Sequence, residues 1–151
     1  MRAKLLILGI ISATVIVACN KDAFTTTPKL TFKGVSTTVL LPNGTIQFQL
    51  NYTDKEGDIQ RHIYVQKITK NCSASDFSEL DSIPTGIPTK ANSKGEIDLD
   101  YAYGPNLGFI PIKEPQCQGQ NDTCVFRFAL TDLANHTSDT VTSPEIVIIK
   151  R

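Results

Sequence analysis

Thr45-Ile46-Gln47-Phe48-Gln49-Leu50-Asn51-Tyr52-Thr53-Asp54-Lys55-Glu56-Gly57-Asp58-Ile59-Gln60-Arg61-His62-Ile63-Tyr64-Val65-Gln66-Lys67-Ile68 is the stretch on which the fold turns. Ile46, Phe48, Leu50 and Tyr52 alternate with Thr45, Gln47, Gln49, Asn51 and Thr53. That period of two belongs to a half-buried strand. Asp54 to Asp58 interrupts it with charge and a glycine, and Ile63 and Val65 then resume it beside outward His62 and Gln66. A strand, an acidic turn and a second strand are what one half of a β-sandwich core needs.

Working outward, Leu30-Thr31-Phe32 and Thr38-Val39-Leu40-Leu41 read as the first strands, divided by Gly34. Pro42-Asn43-Gly44 is a turn, because Pro presets φ and Asn-Gly tolerates φ > 0. On the other side, residues 71–94 carry Ser, Thr, Asp, Asn, Pro and Gly without period and read mostly as loop, with a short helix or strand over 78–83. Glu96–Tyr103 alternates cleanly, with Ile97, Leu99, Tyr101 and Tyr103 on the core face. Residues 104–121 are punctuated by Pro and Gly, and the segment 123–131 points Phe126, Phe128 and Leu130 inward. Asp132 to His136 is a turn, and 140–149 is a closing strand in which Pro144 requires an edge or a bulge. About seven short strands and no long helical period predict an all-β fold, a single antiparallel sandwich.

The chain has 151 residues, room for one domain, with 40% apolar and 20% charged side chains. Its formal net charge of zero gives no electrostatic footprint for nucleic acid. Met1-Arg2-Ala3-Lys4 is a cationic start, and Leu5–Val17 is an apolar run. Those 13 residues rise roughly 20 Å as a helix, short of the ~30 Å hydrocarbon core, which favours a signal peptide over a span. Ile16-Val17-Ala18-Cys19 ends the run and resembles a bacterial lipobox, with Cys19 as the lipid acceptor. The expected organisation is a signal peptide at 1–18, a lipidated cysteine and flexible tether at 19–29, and one domain at 30–151. Two or three acyl chains give stable membrane attachment where one does not. Cleavage leaves 13 basic and 15 acidic side chains. Lys21-Asp22 resembles the short export signals of surface lipoproteins, so the expected address is the outer membrane, at the cell surface or else on the periplasmic face.

Asp122-Thr123 before an aromatic strand, then Thr131-Asp132-Leu133-Ala134-Asn135-His136-Thr137-Ser138 and Ile146-Val147-Ile148, resembles the tail of bacterial immunoglobulin-like domains. Such domains often carry a D-x-A-G-N-x-S turn between their last strands. Tyr52-Thr53-Asp54-Lys55-Glu56-Gly57-Asp58-Ile59 resembles the D-x-D/E-G-D-I turn of Ig-like lipoproteins of Bacteroidota. Asn135 and His136 depart from that pattern, which has Gly and Asn there; Asn tolerates the left-handed backbone. The resemblance implies a fold and a lipid-anchored location, and no reaction.

Asp54, Glu56 and Asp58 crowd one turn, and Asp132 can approach from a neighbouring loop. Calcium takes six to eight hard oxygens, often from alternate residues of one loop, so these four are candidate ligands; the alternative is a solvated turn whose acids cap backbone amides. With Cys19 lipidated, Cys72, Cys117 and Cys124 remain. An oxidising envelope favours a disulfide, Cys117–Cys124 first and Cys72 with either as the alternative. The absence of C-x-x-C pairs argues against zinc. His62 and His136 are isolated, and no G-x-S-x-G, H-E-x-x-H or phosphate-loop pattern occurs, so no catalytic residue is assigned. Asp98 and Asp100 share a strand face and read as solvated. The expected function is a non-catalytic binding, adhesion or accessory module meeting a glycan or protein through its loops, or a periplasm-facing structural or assembly partner.

Overall fold

In the computed structural model, which describes residues 24–82, 87, 89–104 and 108–151, the alternation of the opening stretch becomes β3 (Thr45–Asp54) and β4 (His62–Thr69). They lie in different sheets, so the acidic turn crosses from one layer to the other. β1 (Lys29–Val35) and β2 (Val39–Leu40) precede them, and β5 (Phe77–Ser82), β6 (Ser93–Tyr103), β7 (Ile110–Ile112), β8 (Asp122–Thr131), β9 (Val141–Thr142) and β10 (Ile146–Ile148) follow. One sheet runs β1-β3-β6-β7 and the other β2-β10-β8-β4-β5, with β9 beside β8. Two of the pairings are parallel, β2 with β10 and β6 with β7; the rest are antiparallel.

The inward set of each strand builds one core. Phe48 sits at its centre, with ring centroids 4.7 Å from Phe126, 5.2 Å from Phe128 and 6.0 Å from Tyr101. Because Phe48 belongs to one sheet and Phe126 and Phe128 to the other, the two tilted contacts between them hold the layers together, while the edge-on contact with Tyr101 lies within the first sheet. Tyr101 and Tyr103 are both buried, as their parity requires.

The boundaries differ from expectation in instructive ways. Gly34 does not divide the first strands: it lies within β1, where the register slips between Phe32 and Gly34, and the break falls at 36–38. The segment expected as a short helix or strand supplies the outer strand β5, which runs Phe77–Ser82, and a 3-10 turn over Ser73–Ser75 precedes it. β7 lies in a stretch read as loop, because Ile110-Pro111-Ile112 is too short to show a period. The closing strand is split into β9 and β10 at Ser143–Glu145. Pro144 has no amide to donate, and Ser143 bridges the gap: its N–H donates to Phe126 O at 2.8 Å, and its hydroxyl accepts from Phe126 N–H at 2.9 Å. The end of the 19–29 tether is docked, since Lys55 N–H donates to Thr25 O and Pro28 is buried.

β1 starts opposite Thr53, so the described chain enters at the end that carries the acidic turn. The other end collects residues 36–44, 70–76 and 113–121.

Candidate functional site

Parity places two acids where a core residue would stand. Asp54 continues the inward series Phe48, Leu50, Tyr52 as the last residue of β3 and is fully buried. Asp132 extends Phe126, Phe128, Leu130 off the end of β8 and is 1% exposed. The two strands belong to facing sheets and end on the same side, because Thr131 pairs with His62 at the start of β4. The acids therefore meet across the open end of the sandwich.

The turn between them is tightly tied. Asp54 Oδ2 accepts from the amides of Gly57 at 2.5 Å and Asp58 at 3.2 Å. Gly57 has φ +73°, and a Cβ there would lie 2.0 Å from Lys90 O, so only glycine fits. Leu133 N–H donates to Asp58 O at 2.9 Å, joining this turn to the one after β8, and Asn92 N–H donates to Lys55 O at 2.6 Å. His136 donates its amide to Asp132 Oδ1 at 2.7 Å, and its Nδ1 lies 3.0 Å from Asp132 Oδ2. Asn135 holds φ 71°, as the departure from Gly in that turn demands.

Asp54, Asp58 and Asp132 each bring an oxygen within 4.8 Å of the others. Asp54 Oδ1 and Asp58 Oδ1 are sealed from solvent with no hydrogen-bond partner, and so is Gln60 Oε1. Burial is the main cause raising the Asp54 pKa above the usual carboxylate range; its amide bonds pull the other way, and Asp58 and Glu56 add repulsion. Of the four expected ligands, Glu56 is the one left out: it is exposed on the turn and outside the group. The physical reason is that the strand's alternation stops at Asp54: the bend at Gly57, with its positive φ, leaves Glu56 exposed while Asp58 comes back to the group.

The far end is built differently. Cys72 and Cys117 form a disulfide, 45 residues apart in sequence. Cys117–Cys124 is thereby corrected, and the alternative partner is the one used. Cys124 stands in the inward set of β8 and is buried against Ile146 O, whereas Cys117 lies outside the strand. Burial pushes the Cys124 thiol up to about 12. Beside the disulfide, Lys67 Nζ lies 2.7 Å from Asp122 Oδ2 and donates to Ser75 O at 3.1 Å, with both charged side chains buried. Ser75 Oγ accepts from Gln116 N–H at 2.8 Å, and Lys150 Nζ donates to Pro115 O and Cys117 O. The sequence reading missed the Lys67–Asp122 pair. Its trace was the third inward position after Ile63 and Val65, filled by a lysine.

Other expected sites resolve simply. Cys19 and Lys21-Asp22 lie outside the described residues. Asp100 Oδ1 accepts from Gln47 Nε2 at 3.0 Å, and Asp98 is exposed. Among the described residues no helix is long and apolar enough to cross a membrane.

Facing sheets, an aromatic core between them and a short second strand paired in parallel with the last one define an Ig-like β-sandwich. No family model matches the chain, and no curated protein does. Solved structures similar to it include Spo0M, a sporulation control protein from Bacillus subtilis, at 14% identity and TM-score 0.45, covering 83% of this chain and 50% of that one. BcpA, the major pilin subunit of Bacillus cereus, is 12% identical with TM-score 0.37, over 82% of this chain and 40% of that one. The CARDB domain of the PF1109 protein from Pyrococcus furiosus, in complex with di-metal ions, is 11% identical with TM-score 0.35, over 84% and 98%. The chain thus spans half of Spo0M and less of BcpA, and likeness at this level carries no argument about activity.

Proposed function

We propose that the protein is a lipid-anchored, non-catalytic binding or accessory module of a bacterial envelope, attached through Cys19 and meeting a glycan or protein partner at the end away from its anchor. One observation carries the reading: the described chain enters at the acidic end, while Val39, Leu41 and Phe109, all exposed, lie towards the opposite end. There the disulfide, Ser75 and Lys150 hold the 113–117 segment to the body, as a preorganised binding loop requires. The groups that chemistry would recruit are otherwise engaged: His136 is held by Asp132, and the Cys124 thiol is too basic and too enclosed to attack.

Protease treatment of intact cells tests the orientation. Cleavage before a periplasmic control is cut supports a surface module. Protection of a domain that is protease-sensitive when isolated supports an inward-facing one. Replacing Cys19 with Ala releases the protein from the membrane fraction if the anchor is as proposed, and retention there refutes it. A periplasm-facing assembly role is the second reading, favoured by β5, an outer strand with Leu80 64% exposed, which offers an edge to another strand.

A further inference from the structure

The geometry points to a calcium site at the anchor-proximal end of the sandwich, with Asp54, Asp58 and Asp132 as its carboxylate ligands. The two ends of β8 make the contrast that carries it. Asp122 opens the inward set of β8 and Asp132 lies just past its end, and both are buried. Asp122 is met by the ammonium of Lys67, a buried cation supplied by the chain itself. At the other end three acids converge, and among the described residues no lysine or arginine pairs with any of them. Buried like charges without a counter-ion are costly, and a bound cation is the usual remedy.

The oxygens left over are the right ones. Asp54 spends Oδ2 on the amides of Gly57 and Asp58, which leaves Oδ1, fully buried and unpartnered. Asp58 Oδ1 is likewise unpartnered. Asp122 Oδ1 is also unpartnered, but there the charge is already met by Lys67. Two oxygens across one calcium ion, each about 2.4 Å from it, stand at most about 4.8 Å apart, and the three carboxylates fall within that span. The ligands come from side chains locked by backbone bonds: the amides of the turn hold Asp54, and His136 holds Asp132. Calcium accepts such an irregular oxygen set, completed by second carboxylate oxygens or water, more readily than the strictly octahedral magnesium does. The ion would join the turn after β3 to the turn after β8, one from each sheet.

The test uses the full chain in detergent, stripped with a chelator and titrated with calcium chloride by calorimetry and thermal unfolding. We expect one ion per chain, a dissociation constant near the ~10⁻⁴–10⁻³ M of extracellular modules, and a higher unfolding temperature in calcium than in chelator. Asp54→Asn keeps the acceptor for Gly57 and Asp58 while removing the charge, and should weaken binding by at least about tenfold. Asp58→Asn should do the same, and Glu56→Gln should bind like the parent. If Asp54→Asn does not fold in chelator, Asp58→Asn decides. The absence of saturable binding in the parent overturns the proposal, as does binding unchanged in both Asn variants or lost equally in Glu56→Gln.

Discussion

Cys124 shows how much one side chain's direction decides. Standing at an inward position of β8, it is sealed away from Cys117, seven residues before it, and its thiol is raised by burial from 9.0 to about 12. A pKa raised in the folded state means that the protonated form is favoured by folding; the associated stability is full below 9.0 and is lost as pH climbs towards 12. Tyr101, raised first by burial and then by Asp81 and Glu79, acts in the same direction. Iodoacetamide should therefore leave Cys124 unmodified in the folded protein at every pH from 7 to 9.0, and alkylate it only after denaturant is added, as read by mass spectrometry. Rapid labelling of the native chain at neutral pH would contradict the burial. The same parity rule made the acidic group partly legible. Asp54 and Asp132 fall on the beat of their strands' apolar residues, and that rhythm marks them as inward. Glu56 lies beyond the strand, where the rhythm stops, so spacing alone could not exclude it.

Among the elements, β4 carries the least expected feature, Lys67 within its buried face. Lys67→Met should cost about 3–5 kcal/mol, because it strands Asp122 in the interior, while Lys67→Met with Asp122→Leu should return the stability to within about 1 kcal/mol of the parent or above it. Urea denaturation of the parent, the single and the double variant measures this; a single variant as stable as the parent would mean the pair is hydrated. Long alternating strands such as β3, β6 and β8 were legible because each buries one full face. β5 was legible only as a short helix or strand, and β7 not at all: they are short outer strands whose neighbours, rather than their own pattern, make them strands. The Cys72–Cys117 disulfide was legible only as the alternative pairing, since the partner of Cys117 lies in a turn brought close only by folding.

At the scale of the whole molecule, one aromatic cluster serves both sheets, so the sheets should not unfold separately. Phe48→Ala should destabilise the protein by about 3–5 kcal/mol while leaving far-ultraviolet and tyrosine signals to change together. Two separated transitions would show that the layers are independent. The parallel pairing of β2 with β10 has a mechanical consequence. Residues 24–28 sit at one end of the sandwich and Arg151, beside Asn43, at the other. A pull between those ends runs along the β2–β10 ladder rather than across it. Val147 and Ile149 donate to Thr38 and Leu40, and these bonds would be sheared together instead of being peeled one at a time. A domain tethered by lipid and gripped at its far end would then resist force in proportion to the whole ladder, and yield slowly under load.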